Sequence, residues 1–162
     1  CEVLAVLPAA ALRGHEDALR GRLLAGLGAL PGVRVADLGG GDAVGVVTFA
    51  VDGLPAGLVA AYLSAEHGIG VRDGRFCAHR LTAALGLTDG GVRVSTGVGS
   101  CSEDVDRLLA ALAQLLTTGP AWRYGPVGGR WAALDDPRPL PAPLPAPLPA
   151  PLPAPPGGGC PA

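Results

Sequence analysis

The chain has 162 residues, a formal net charge of -2 and 49% apolar residues, which suits one domain with a buried core plus a tail and excludes global disorder. Its 12 basic and 14 acidic residues leave no electrostatic footprint for nucleic acid or an anionic membrane. Every stretch of about 18 residues is broken by a charge, Gly or Pro, so nothing reads as a bilayer span.

Residues 1–12 are apolar but lack the cationic leader of a signal peptide, and Glu2-Val3-Leu4-Ala5-Val6-Leu7 is too apolar for the tether of a lipoprotein beginning at Cys1. A helix is expected over 11–30, where Leu19, Leu23, Leu27 and Leu30 share one face. Pro31-Gly32 ends it, Val33-Arg34-Val35 alternates as a short strand, and Gly39-Gly40-Gly41 is a loop without the strand–GxGxxG–helix setting of a dinucleotide site. Residues 44–51 (Val-Gly-Val-Val-Thr-Phe-Ala-Val) form the strongest strand signal.

A second helix starts at Pro55, with Leu58, Val59, Tyr62 and Leu63 as its stripe, and stops at Gly68. Ile69–Arg72 is expected as a strand, 73–78 as a loop, and 79–85 as a short helix. Val92-Arg93-Val94-Ser95 is a further strand. Ser100 and Glu103 then form a capping box for a helix carrying Val105, Leu108, Leu109, Leu112 and Leu116. The alternation implies an α/β layer of three or four strands with helices packed on it, parallel or antiparallel being left open. Residues 119–138, with Trp122, Tyr124 and Trp131, are expected as an irregular arm. From 139 to 162 the chain is a Pro-rich low-complexity tail with Leu-Pro-Ala-Pro four times in succession. Such a tract favours extended polyproline II and reads as a spacer rather than a PxxP ligand.

Four cysteines stand at 1, 77, 101 and 160, with no CxxC and no zinc spacing; reduced thiols in a cytoplasmic protein are expected. Methionine is absent even at position 1, so the expectation is that either an upstream part is missing or an N-terminal segment was removed. Lysine is absent too, all 12 basic residues being arginine; the chain therefore cannot supply a Schiff base.

The unusual chemistry lies in Arg72-Asp73-Gly74-Arg75-Phe76-Cys77-Ala78-His79-Arg80. Cations close to Cys77 favour its thiolate, and a loop gives a nucleophile reach. The same composition fits a small buried cysteine beside surface arginines, and the residues do not choose between the two. Arg93, inside an apolar strand, either snorkels to the sheet edge or grips a carboxylate, and the residues alone favour the first. His15 and His67 read as surface residues without a role, and Cys101 as a small spacer at a helix start.

Together these segments resemble the C-terminal small domain of class V aminotransferase-fold enzymes, which are fold-type I pyridoxal-phosphate enzymes. The resemblance is nearest to cysteine desulfurases and selenocysteine lyases. It is carried by 46–53 (Val-Val-Thr-Phe-Ala-Val-Asp-Gly), 63–79 (Leu-Ser-Ala-Glu-His-Gly-Ile-Gly-Val-Arg-Asp-Gly-Arg-Phe-Cys-Ala-His), 92–97 (Val-Arg-Val-Ser-Thr-Gly) and 102–108 (Ser-Glu-Asp-Val-Asp-Arg-Leu), with the helix 11–30 as lead-in. Residues 1–118 would be that α+β domain.

The resemblance implies that Cys77 takes sulfur from L-cysteine as a persulfide, that Arg93 clamps the amino-acid α-carboxylate, and that Arg72 supports the same anionic site. Pyridoxal phosphate would be held by an upstream domain absent from this chain, so the chain alone should be inactive; the complete enzyme would be a homodimer. Three positions depart from the desulfurase pattern: Arg75-Phe76 replaces two histidines, Arg80 replaces a proline, and Gly99-Ser100-Cys101 replaces Tyr-Asn-Thr. They keep open another class V member (aminotransferase, epimerase or C–S lyase) or a non-catalytic remnant or binding module.

Overall fold

The structure, a computed structural model, describes residues 6–36 and 43–139. Cys1, the Gly39–Gly41 loop, Cys160 and the tail from 140 lie outside the described residues. The first helix, α1 (Ala9–Ala29), buries Leu19, Leu23 and Leu27, the face set by the four-residue spacing. It leads into β1 (Val33–Val35), followed by β2 (Val46–Val51). Val44 is 67% exposed and outside the strand, so the ladder starts two residues later than the apolar run. Next comes α2 (Ala56–His67), which buries Val59, Ala60, Tyr62 and Leu63. It closes with backbone N–H bonds from Gly68 to the Ser64 carbonyl and from Ile69 to the Leu63 carbonyl.

The strand expected at Ile69–Arg72 is displaced toward the C-terminus: β3 is Arg72–Gly74, because only there does the backbone lie opposite a partner. After α3 (His79–Ala84), β4 (Gly91–Ser95) runs between β2 and β3. The sheet order is β1-β2-β4-β3 and every pairing is antiparallel. The last long helix is α4 (Ser102–Thr118), with Val105, Leu108, Ala111, Leu112 and Leu115 buried. One core joins these side chains to those of α1 and α2 and to Val47, Phe49, Val51 and Val92. The three long helices therefore cover one face of the sheet. Truncating a buried aromatic such as Phe49 to Ala would cost about 3–5 kcal/mol.

Where an irregular arm was expected, β5 (Tyr124–Val127) and β6 (Arg130–Ala133) pair as an antiparallel hairpin. The hairpin packs on α2. Position 57 must be glycine for this contact, since a Cβ there would lie 2.6 Å from Trp131 Cδ1. No described helix is long and apolar enough to cross a membrane.

Candidate functional site

Pairing register assembles the site. Thr48 of β2 faces Arg93 of β4, and Arg93 faces Arg72 of β3. Strand side chains alternate between faces, and the next residues, Phe49 and Val92, point into the core. The Thr48–Arg93–Arg72 row thus lies on the face turned away from the long helices. Two arginines directly opposite each other on an antiparallel pair repel, at a cost of up to about 1 kcal/mol. No carboxylate pairs with either among the described residues.

Arg93 is half-buried, and its Nε is buried without a hydrogen-bond partner. A buried donor left unsatisfied costs about 1–3 kcal/mol. The repulsion and the orphan donor are both relieved by one kind of occupant, an anion with several acceptor oxygens. The buried stem and Nε fit both readings of this side chain, snorkelling and carboxylate grip. Its guanidinium carbon sits 5.5 Å from the centre of the Phe76 ring, within cation–π range.

Phe76 belongs to the turn that carries Cys77. The Ala78 N–H donates to the Arg75 carbonyl at 2.8 Å, and the two residues between, Phe76 (φ 53°) and Cys77 (φ 59°), are both left-handed. That is the backbone of a type I′ turn, normally built from Gly and Asn. For side chains with a Cβ it costs about 1–2 kcal/mol per residue. The turn begins beside a close backbone approach, as a Cβ on Gly90 would meet the Gly74 backbone at 2.8 Å. Cys77 is a free, exposed thiol. The alternative of a small buried cysteine is therefore not what the fold presents.

Arg72, Arg75, His79 and Arg80 are all exposed around it. Residues 72–80 hold three arginines against the single carboxylate of Asp73. Because α3 has only six residues, under two turns, the cationic surroundings rest on these side chains more than on a helix dipole.

Other expectations move by one residue or gain partners. The capping box of α4 is Cys101–Asp104, not Ser100–Glu103. The Cys101 N–H and Sγ–H both donate to Asp104 Oδ2, at 3.1 and 3.3 Å. The Asp104 N–H favours the thiolate, but hydrogen bonding to the Glu103 and Asp104 carboxylates outweighs it and holds the Cys101 thiol above its ordinary value. Ser100 instead closes the preceding turn, accepting from the Gly97 N–H at 3.1 Å. The two histidines are half-buried and engaged. His15 Nε2 lies 2.9 Å from the Ser100 carbonyl, and His67 Nε2 lies 2.7 Å from Tyr62 Oη. Tyr62 gives its own proton to the Ala111 carbonyl at 3.0 Å, so the His67 Nε2–H is the donor to Tyr62.

Two residues escaped the sequence reading. Phe76 was noted only as a replacement for histidine, and nothing in the linear pattern placed it against Arg93. Glu66, on the outer side of α2, accepts from the Ala121 and Trp122 N–H groups, both at 3.1 Å, and from Tyr124 Oη at 3.0 Å. Burial and the neighbouring Glu66 carboxylate push the Tyr124 phenol well above its usual range.

The family model for aminotransferase class-V matches residues 1–108. A probable cysteine desulfurase of Pseudomonas putida is 41% identical over 113 residues, which is 70% of this chain and 27% of that protein. A Pseudomonas aeruginosa counterpart is 40% identical over the same shares. The chain thus spans about a quarter of the length of these relatives. Among solved structures, the cysteine desulfurase CsdA of Escherichia coli superposes with a TM-score of 0.64 at 27% identity, over 71% of this chain and 28% of that one. The apo cysteine desulfurase of Thermococcus onnurineus NA1 gives 0.58 at 34% identity, over 64% and 26%.

Proposed function

Since the chain belongs to the aminotransferase class-V family, we propose that it serves a cysteine desulfurase, with Cys77 as the sulfur acceptor and Arg93 and Arg72 as the carboxylate anchors. The balance is one L-cysteine and the Cys77 thiol going to alanine and the Cys77 persulfide. The observation that carries this reading is the row Thr48–Arg93–Arg72 beside the Cys77 turn. There, an orphan guanidinium donor and two facing cations await an anion next to an exposed thiol. A bidentate fork suits a carboxylate, which is why arginine rather than lysine fits the role.

The chain's own residues do not make a home for pyridoxal phosphate. No lysine occurs among its 162 residues to meet the aldehyde. The cofactor would be held by an upstream domain, in a complete enzyme that is a cytoplasmic homodimer. What this chain contributes is binding and acceptance: Arg93 and Arg72 orient the amino acid by its carboxylate, and the turn carries the Cys77 thiol that collects the sulfur.

The test uses the complete enzyme loaded with cofactor. Cys77→Ala is expected to abolish sulfur release from L-cysteine while the cofactor absorbance persists; sulfur release at the wild-type rate would end the acceptor role. Arg93→Ala removes a charge-assisted contact and is expected to raise the KM for cysteine about 10- to 100-fold. An unchanged KM would remove Arg93 from the site.

A further inference from the structure

We infer that Phe76 is a positioning residue that couples the Arg93 guanidinium to the placement of the Cys77 thiol. Both central residues of the Arg75–Ala78 turn sit in the left-handed region without being glycine, so the turn by itself would relax. Its own hydrogen bond, from the Ala78 N–H to the Arg75 carbonyl, is available to ordinary turns as well and does not select this hand. One contact that reaches out of the turn is the Phe76 ring against Arg93, 5.5 Å from Cζ.

Arg93 is in turn fixed by its place in the central strand, paired on both sides. Its Nε is sheltered and unpartnered. The guanidinium therefore has two demands on it at once, the ring on one side and a hydrogen-bond acceptor for its free donors. A cation whose charge is shared with an anion attracts a ring less strongly than a bare one. An anion arriving at Arg93 would thus loosen Phe76 and, one residue along, free Cys77 to move. Departure of the anion would draw the thiol back to its held position. Phe76 here acts through Arg93 and need not touch substrate. It stands where the desulfurase pattern usually has histidine, which could not supply an uncharged ring across the whole pH range.

This role rests on the proposed function for its purpose, but it can be measured without turnover. In the full chain, Cys77 is alkylated with iodoacetamide at a pH where thiols are ionised, and the site is resolved by peptide mass spectrometry. Cys101, exposed on a different element, is the internal reference. Phe76→Leu is expected to raise the Cys77 rate relative to Cys101 by about two- to fivefold, the weight of a half-exposed cation–π contact. Arg93→Met, which keeps the apolar stem, is expected to do the same, and the double variant no more than either alone. Phe76→Tyr, which keeps a ring, should restore the wild-type rate.

Additive effects, an unchanged rate in Phe76→Leu, or a Phe76→Tyr variant that behaves like leucine would overturn the coupling. The two ideas fail separately. A non-additive cycle together with an unchanged KM in Arg93→Ala leaves the positioning role standing and removes the carboxylate role. A raised KM with an additive cycle does the reverse.

Discussion

The turn around Cys77 and the hairpin on α2 are held in opposite ways. In the hairpin the polar groups that face α2 are partnered. Glu66 takes two backbone N–H groups and the Tyr124 hydroxyl, Trp131 lies against Gly57, and Arg138 stacks 5.6 Å from the Trp122 ring while pairing with Asp136. At the turn, among the described residues, the arginines lack carboxylates and the Arg93 Nε lacks an acceptor, and two side chains occupy a backbone region suited to glycine. Against α2 the hairpin uses its polar groups for its own anchoring. The turn leaves its groups unspent, which is the condition for binding something else.

The largest test of this contrast is Glu66→Ala. It strands three donors that now share a charged acceptor, and it should lower stability by about 2–3 kcal/mol in urea denaturation. Glu66→Gln, which keeps one acceptor oxygen, should lose visibly less. A loss within about 0.5 kcal/mol for Glu66→Ala would mean the hairpin is not anchored there.

The opposite sign is expected at the turn. Cys77→Gly places the one residue without a Cβ in a left-handed position and should stabilise the chain by about 1 kcal/mol, while ending sulfur acceptance in the complete enzyme. A destabilised Cys77→Gly variant would show that the turn is not strained.

The smallest expected effect lies in the alkaline limb. Tyr124 and Tyr62 titrate above the ordinary value of 10.0, both mainly through burial with Glu66 adding to it. A phenol raised in the folded state contributes stability that is complete below about pH 10 and is lost as pH climbs toward the folded value. Tyr124→Phe should flatten that loss in denaturation curves taken from pH 9 upward. An identical pH slope in the variant would place the titration elsewhere.

Much of this fold is legible in the linear pattern, and the illegible parts share a cause. The helical faces of α1, α2 and α4 follow from apolar spacing because each helix meets the core through its own residues. β3 and the hairpin are not legible there because a strand exists only by virtue of its partner. Ile69-Gly70-Val71 is more strand-like than Arg72-Asp73-Gly74, yet only the latter lies beside β4. The hairpin sequence, with Pro126 and paired glycines 128 and 129, carries little β-propensity of its own and relies on α2.

At the site, Cys77, Arg72 and Arg93 were named from residue types and from resemblance, but their juxtaposition is a matter of register. A shift of one residue along β4 would have turned Arg93 into the core. Phe76 and Glu66 could not be found in the same way, since each works through a residue distant in sequence.

The position of β4 at the centre of the sheet also bears on how the protein is made. It pairs with β2 on one side and β3 on the other, yet it is the last of the four strands to leave the ribosome. Until residues 91–95 are synthesised, β2 and β3 have no common neighbour, and the Thr48–Arg93–Arg72 row does not exist. Sheet closure and site assembly are therefore the same event, late and non-local, of the kind that sets the slow step in folding. A nascent chain halted before β4 would present an open edge of β2 and an entirely unpaired β3 to any chaperone within reach.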